Sequence, residues 1–537
     1  MKKYSVIMAI LLSLVLVFTG CGSKDVATNE PASESKEPSS QSEQGSEVKE
    51  SNEPSLAKEQ TLIYGSDSEP AGLDPHKVPA HASVRIYTKI YDSLVKTDKN
   101  MNYVPNLAES WETPDDTTYI FKLRSNVKFH NGRQMNADDV KYSFERILNP
   151  DTASIAKSYF EKIKEINVID ESTVEFKLSE PYAPFMSYMS SSYAAIVPKE
   201  VVEENGDLMQ VACGTGPFML EEWVPDNSIT LKKNPDYFIE GQPKLDSIVY
   251  NVMVDESSRV AALRTGAIHV TTLSSQTLPL LKKNEDIAIK SYQSNNYTFL
   301  GFNLNIEPFN NPKVRRAMSL AVDRDEMAQT IFSGDAVVTG PVPKALGKWS
   351  VDPSQNELYK QDIEKAKKLL ADAGYPDGFE MKITALGGYA DIVGTAQILQ
   401  QQLEKIGIKS EIEQLEIGQY VAAWKKCDHQ VMAGRNGAGS DPDRALGFFF
   451  NSSGSANVWG FKDEKYDELT NKGKVTIDEG ERVKIYKEAQ ERLIELSPNL
   501  FFNSPMNYYF VRKEVENFDP TVFNPEDFRD TVILESK

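Results

Sequence analysis

From Ser23 to Ser55 the chain reads SKDVATNEPASESKEPSSQSEQGSEVKESNEPS, a run of Ser, Glu, Pro, Gln and Lys with almost nothing apolar. Such a segment cannot bury enough surface to offset the entropy of ordering it. A fold must therefore be built from the residues beyond it, starting near Gln60. That leaves most of a 537-residue chain, more than a single core usually holds, and two to four domains are expected.

The residues ahead of this run have the layout of an export signal. Lys2 and Lys3 precede an apolar stretch from Ile7 to Phe18, too short to span a bilayer comfortably. Thr19-Gly20-Cys21 follows. Small residues before a cysteine here resemble the lipobox of bacterial lipoproteins, although Phe18 stands where leucine is commoner. The alternative is an ordinary signal peptide with a chance cysteine. The resemblance implies a signal peptide over 1–20 and a diacylglyceryl group on the Cys21 sulfur, with palmitate-type acyl chains. Two acyl chains anchor stably where one does not. Residues 21–58 then read as a disordered tether with a reach of roughly 35 Å. The folded body is expected close to the outer face of the cell membrane, as suits a Gram-positive type of surface.

Charge and cysteine narrow the function. The formal net charge of −20 argues against nucleic-acid binding, which needs a basic face. Beyond Cys21 only Cys213 and Cys427 remain. Nothing in the sequence pairs them, and there is no Cys/His spacing for zinc.

Helical and strand periodicities alternate through the body. TTYIFKLR and STVEFKLSE alternate as strands, with NADDVKYSFERIL between them as a helix capped by Asn136. SIVYNVMV, a helix from Glu256 ending at Gly266, and AIHVTTL make a βαβ unit. DIEKAKKLLADAGYPDG is a helix capped by Asp362 and closed by Gly374. FEMKITAL, AQILQQQLEKIGI and KSEIEQLE continue the alternation, and GERVKIYKEAQERLIELSPNLFF is a long helix running into a strand. The expected class is α/β.

A series of short motifs occurs in a fixed order: Leu73-Asp74-Pro75, Leu107-Ala108-Glu109-Ser110-Trp111, Phe121-Lys122-Leu123-Arg124, Val127-Lys128-Phe129-His130, Ala137-Asp138-Asp139-Val140, Gly214-Thr215-Gly216-Pro217-Phe218, Asn234-Pro235-Asp236-Tyr237-Phe238, Val314-Arg315-Arg316-Ala317, Ala321-Val322-Asp323-Arg324 and Asp441-Pro442. Together, over nearly all of residues 60–537, they resemble solute-binding protein family 5 of bacterial ABC importers, which takes up oligopeptides, dipeptides and nickel. The resemblance implies a three-domain periplasmic-binding-protein-like fold of class II, cluster C type. Domain I would comprise 59–81, 211–300 and 505–537, domain II 82–210 and domain III 301–504. The ligand would lie in a cleft between domains I and III, which close by a hinge. Partners would be a membrane permease with its ATPase subunits. A monomer without cofactor, metal or enzymatic activity is expected. Within these motifs Trp111 reads as core, Gly214 and Gly216 as turn glycines with a left-handed backbone, and Arg124 and Arg315 as members of structural ion pairs.

By the same resemblance, ligand contacts come from the turn before Leu73 and from the segment leading to Asp441. The candidates are Ser68, Glu69, Gly434, Arg435, Asn436, Gly437 and Asp441, with Trp424 and Trp459 as pocket walls. Gly434, Gly437 and Gly439 would let a ligand approach the backbone. Peptide-binding members commonly carry an aspartate four residues before the proline, paired with the ligand amine; this chain has Ala438. Glu69 or Asp67 would have to take that role. Arg435 has two candidate partners: a ligand carboxylate or phosphate, or a protein acid such as Asp441 or Glu69. Peptides are the expected ligand. The alternatives are an anionic solute, an oligosaccharide, or a nickel chelate held through one of five histidines, of which His429 lies nearest the pocket strand. A secreted hydrolase is the alternative of a different class, but GxSxG, HExxH and P-loop motifs are absent.

Overall fold

The computed structural model describes residues 55–535, so the signal segment, Cys21 and most of the tether lie outside the described residues. The body is mixed α/β, built around three principal sheets. The first has eight strands. Its central member, Thr61–Ser66, runs parallel to Ser247–Val252 on one side and to Val270–Thr272 on the other. The expected βαβ unit is therefore present, with the first strand inserted between its two arms. Its helix, Glu256–Thr265, is capped by Asp255 and ends at Gly266 with φ 76°.

The second sheet is four-stranded and antiparallel, in the order Ala108–Asp115, Thr118–Leu123, Thr173–Leu178, Ile163–Asp170. Helix Ala137–Leu148 packs on it through Val140, Phe144 and Ile147. Asn136 accepts from the backbone N–H groups of Asp138 and Asp139, and the Asp139 side chain accepts in turn from the Asn136 N–H. A cap of this kind contributes about 1 kcal/mol.

The third sheet runs Lys409–Leu415, Glu380–Leu386, Val431–Gly437, Asn296–Phe302, Asn499–Phe501. Its two faces hold separate cores. One gathers Ile383, Leu399 and Val431, and the other Phe299, Trp459 and Tyr486.

The chain crosses between the first and third sheets twice, side by side. Ile287–Gln293 lies in the first sheet and Asn296–Phe302 in the third; Asn499–Phe501 returns to Asn503–Arg512. The crossings are stapled together. Ser504 Oγ donates to the Ser294 carbonyl at 2.8 Å, the Ser294 N–H donates to the Pro505 carbonyl at 3.0 Å, and Gln293 Nε2 reaches the Ser504 carbonyl at 3.0 Å. Two short adjacent connections are what a hinge requires.

A cut at 300/301 would divide strand Asn296–Phe302, which belongs wholly to the third sheet. The expected boundary at 81/82 falls within helix His81–Ile90. Its Ile86, Tyr87 and Ile90 pack in the core of the first sheet, as do Ala195, Val197 and Leu208. Gly214 and Gly216 do not have left-handed backbones. They lie against the end of that helix, where a Cβ would stand 2.0 Å and 2.4 Å from the carbonyls of Ile90 and Lys89. Arg315 and Arg124 are structural, but not through ion pairs. Arg315 donates to the carbonyls of Phe309, Leu496 and Ser497, and Arg124 to that of Asn106.

Candidate functional site

Strand Val431–Gly437 is paired along its whole length with Asn296–Phe302 on one edge. On the other edge Glu380–Leu386 meets it only from Val431 to Ala433. From Gly434 to Gly437 that second edge has no strand partner among the described residues. This open stretch, at an interior position of a sheet, can receive an extended main chain.

Gly434 does not make room for a ligand. A Cβ there would fall 2.4 Å from Tyr420 Oη and 2.7 Å from Phe299 Cζ, so the protein's own side chains fill the space. Tyr420 is held by its bond to the Ala433 carbonyl at 3.0 Å, and Trp424 packs from the same helix onto the core. Gly437 faces Asn296 Oδ1, and Gly439, with φ 72°, turns the chain. Asn436 is half-buried at the strand end.

Arg435 is exposed, and its partner is a residue the sequence did not suggest. Its Nη1 donates to Asp391 Oδ2 at 2.8 Å, and its guanidinium lies over the Tyr389 ring. Both come from the start of helix Ala390–Glu404 and the turn before it. The arginine charge is thus already matched by a protein acid, neither Asp441 nor Glu69.

Asp441 and Trp459 are removed from the site. Asp441 forms a buried bidentate pair with Arg482 at 2.7 and 2.8 Å. Trp459 is fully buried against Gly301, where a Cβ would sit 2.3 Å from its ring, and against Phe299 and His429. His429 shares that core. Burial holds its pKa down, at about 4.

Opposite the strand end, the turn after Thr61–Ser66 presents two acids. Asp67 pairs with the buried Arg85 at 3.0 Å and accepts from Ser68 Oγ on the same oxygen, leaving Oδ2 available. Burial works to raise the Asp67 carboxyl, but the Arg85 guanidinium outweighs it and the acid stays below its ordinary range. Glu69 accepts from Trp223 Nε1 at 2.6 Å, and its second oxygen is buried without a hydrogen-bond partner among the described residues. His81 links the two sides. It is exposed at the start of its helix, and the charges of Arg85, Glu526, Asp67 and Arg435 all act on it.

Next to His81 opens a cavity of about 580 Å³, within the size range of ligand sites. Its walls come from helix His81–Ile90, the loops around Asp92–Asn106 and Ser190–Ser192, Ser440 just past the open strand, and the segment Asp519–Arg529. None of the nine predicted contact residues lines it. Five cationic and five acidic side chains do, so its walls balance in charge. Glu526, in this wall, is only 3% exposed. Its Oε1 accepts from Arg85 Nε, Tyr64 Oη and Tyr509 Oη at 3.0, 3.1 and 3.0 Å. Burial pushes this carboxyl upward, yet the Arg85 and Lys89 cations keep it below the usual carboxylate value. Asp92 is likewise held by Lys96 at 3.0 Å and Asn106 at 3.1 Å.

The sequence carried one signal for this cavity. Arg85 and Lys89 stand four apart in a helix whose neighbouring positions Ala82, Ile86, Tyr87 and Ile90 are buried. Two cations on the buried face of a helix require partners. No periodicity could show that Glu526, 441 positions after Arg85, supplies one.

Near the cavity mouth the second and third sheets' surroundings touch directly. The Ala183 N–H donates to the Lys474 carbonyl at 2.8 Å, and Ser187 Oγ and Ser440 Oγ share a hydrogen bond of 2.6 Å. Among the described residues no group of three His, Cys, Asp or Glu side chains is placed to hold a metal ion, and no helix is long and apolar enough to cross a membrane. Cys213 and Cys427 are both free.

Comparison with known proteins agrees with this architecture. The Di/tripeptide-binding protein 1 of Pseudomonas aeruginosa is 30% identical over 504 residues, covering 87% of this chain and 93% of its own. Among solved structures, the binding protein AgaA from A. tumefaciens R10 in complex with agropinic acid matches with a TM-score of 0.78 and 31% identity, over 89% of this chain and 99% of that one. DppA from Helicobacter pylori, in complex with the peptide STSA, matches with a TM-score of 0.77 and 28% identity, over 88% of this chain and 98% of that one. The model of bacterial extracellular solute-binding proteins, family 5 Middle, matches residues 102–457. With that match and the Pseudomonas relative spanning the body, the chain belongs to the bacterial extracellular solute-binding proteins of family 5.

Proposed function

We propose that this solute-binding protein captures short peptides and delivers them to the permease of an ABC importer. The observation that carries the peptide reading is the open strand edge from Gly434 to Gly437 beside a charge-balanced cavity. An unpaired edge offers main-chain hydrogen bonds to an extended peptide irrespective of its side chains. A wall of matched charges suits a ligand that carries both an ammonium and a carboxylate. Asp67 and Glu69 take over the amine-binding role for which Ala438 has no carboxylate. The di/tripeptide name of the Pseudomonas relative and the peptide bound to the Helicobacter structure support the same reading.

The three sheets define three domains, the first and third swinging about the paired crossings at Ser294 and Phe502. The Ser187–Ser440 and Ala183–Lys474 contacts form as the cleft shuts. The protein acts as a monomer held to the membrane by lipid on Cys21, with residues 22–54 as its tether, since Ser55–Ala57 bond to the C-terminal segment at Ile533–Glu535 rather than continuing the tether to residue 58.

A second reading has one observation of its own: the AgaA structure holds agropinic acid, so a carboxylated solute that is not a peptide suits the same fold. Native mass spectrometry of the purified protein, followed by denaturing identification of released molecules, separates the two. A ladder of short-peptide masses is expected. A single non-peptide acid would replace the peptide reading with the second one.

A further inference from the structure

Among the described residues, one buried cation of the cavity wall has no acid within hydrogen-bond distance. Arg85 donates to Glu526 through Nε and to Ser66 and Asp67 through Nη1, so it has an acid within hydrogen-bond distance. Lys96 is held by Asp92 at 3.0 Å. Arg529 is bound to both oxygens of Asp527. Lys99 is exposed to solvent. Lys89 differs from all of these. It is 6% exposed, and its ammonium donates only to Thr88 Oγ1, at 3.1 Å. Its acid, Glu526, is occupied at Oε1 by three other donors, and Oε2 stands 3.7 Å away, beyond hydrogen-bond range and itself without a partner. The side chain lies over the Phe528 ring in the cavity wall.

A buried ammonium with unused donors is costly unless something completes its shell. The group that does so must be compact, anionic and able to accept several hydrogen bonds, which describes a carboxylate. Resting on the peptide reading above, we propose that Lys89 is a specificity-determining residue of this site and takes the free carboxylate of the ligand, with Glu526 holding it in position. A ligand with a blocked carboxyl end then leaves Lys89 as underpartnered as it is in the empty cavity, and binds weakly.

The test is calorimetric titration of the full protein with L-alanyl-L-alanine and with its C-terminal amide. The native protein should prefer the free acid by about tenfold or more. Lys89→Met should lose affinity for the acid by a similar factor, change little toward the amide, and so lose the preference. Lys89→Arg should keep it. Thermal melts establish that the variants are folded, and Lys89→Gln serves as the second neutral variant should the methionine not fold. A neutral variant that retains the preference, or a native protein that binds acid and amide equally, overturns the assignment while leaving the peptide reading intact. A native protein that binds neither compound overturns the peptide reading, and this assignment with it.

Discussion

Two buried arginine–carboxylate networks differ in one respect that separates scaffold from site. Around Asp441, both carboxylate oxygens are taken by Arg482, whose Nε also donates to the Gly473 carbonyl at 2.8 Å. The guanidinium stacks on Trp349 and Tyr486, and Asp441 caps the turn through the Asp443 N–H. Around Glu526, three donors crowd one oxygen, the other has none, and Lys89 waits at 3.7 Å. The first network is saturated and lies outside the lining of the cavity; the second is unsaturated and faces it. Saturated buried pairs hold a fold together, whereas an open valence in a cavity wall marks where a ligand completes the set.

Unpairing the closed network should have the largest effect. Asp441→Ala leaves Arg482 buried without its acid and should cost about 3–5 kcal/mol, seen as a large drop in the denaturation midpoint. A small effect would mean that the pair is dispensable to the scaffold, and the contrast between the two networks would fail.

The neighbouring Asp443 makes the same contrast visible through pH. Burial raises its pKa to about 6, above the ordinary 3.8. The native state therefore holds this proton more tightly than the unfolded chain does. Its contribution to stability is present below about pH 4 and is lost as pH rises through 6. Asp443→Asn should remove that slope. Its stability relative to the native protein should improve from pH 4 to pH 8 by up to about 3 kcal/mol, at 1.36 kcal/mol per pKa unit. Denaturation midpoints that stay parallel across that range would show that folding does not raise the Asp443 pKa.

The smallest effect is expected at Arg435. Its pair with Asp391 is partly exposed, and such pairs contribute about 0–1 kcal/mol. With its charge already matched, Arg435→Ala should leave stability and the affinity for L-alanyl-L-alanine nearly unchanged in melting and titration. A large loss of affinity would return Arg435 to the site as an anion-binding group.

The same contrast explains what was legible in the sequence. Local chemistry was: the Asn136 and Asp362 caps, the glycine stops at 266 and 374, and the strand alternations all correspond to elements of the structure. The ordered motifs pointed to the family because they mark turns and caps along one fold. The site was legible only in part. The segment from Gly434 to Gly437 does form an open edge, but Asp441 and Trp459 belong to the core, because their partners Arg482 and Gly301 are set by tertiary packing. Lys89 showed only as a cation on the buried face of its helix, and Glu526 not at all, because it is an ordinary charged residue until the first sheet brings helix His81–Ile90 against the C-terminal segment.

If the cavity bounded by Lys89, Glu526 and Ser440 receives the ligand that the open strand captures, a crystal structure of the full protein with L-alanyl-L-alanine will show both contacts at once. The dipeptide should lie against Gly434–Gly437 with its carboxylate within hydrogen-bond distance of Lys89 Nζ. A dipeptide seated elsewhere, with the cavity filled only by water, would contradict that arrangement.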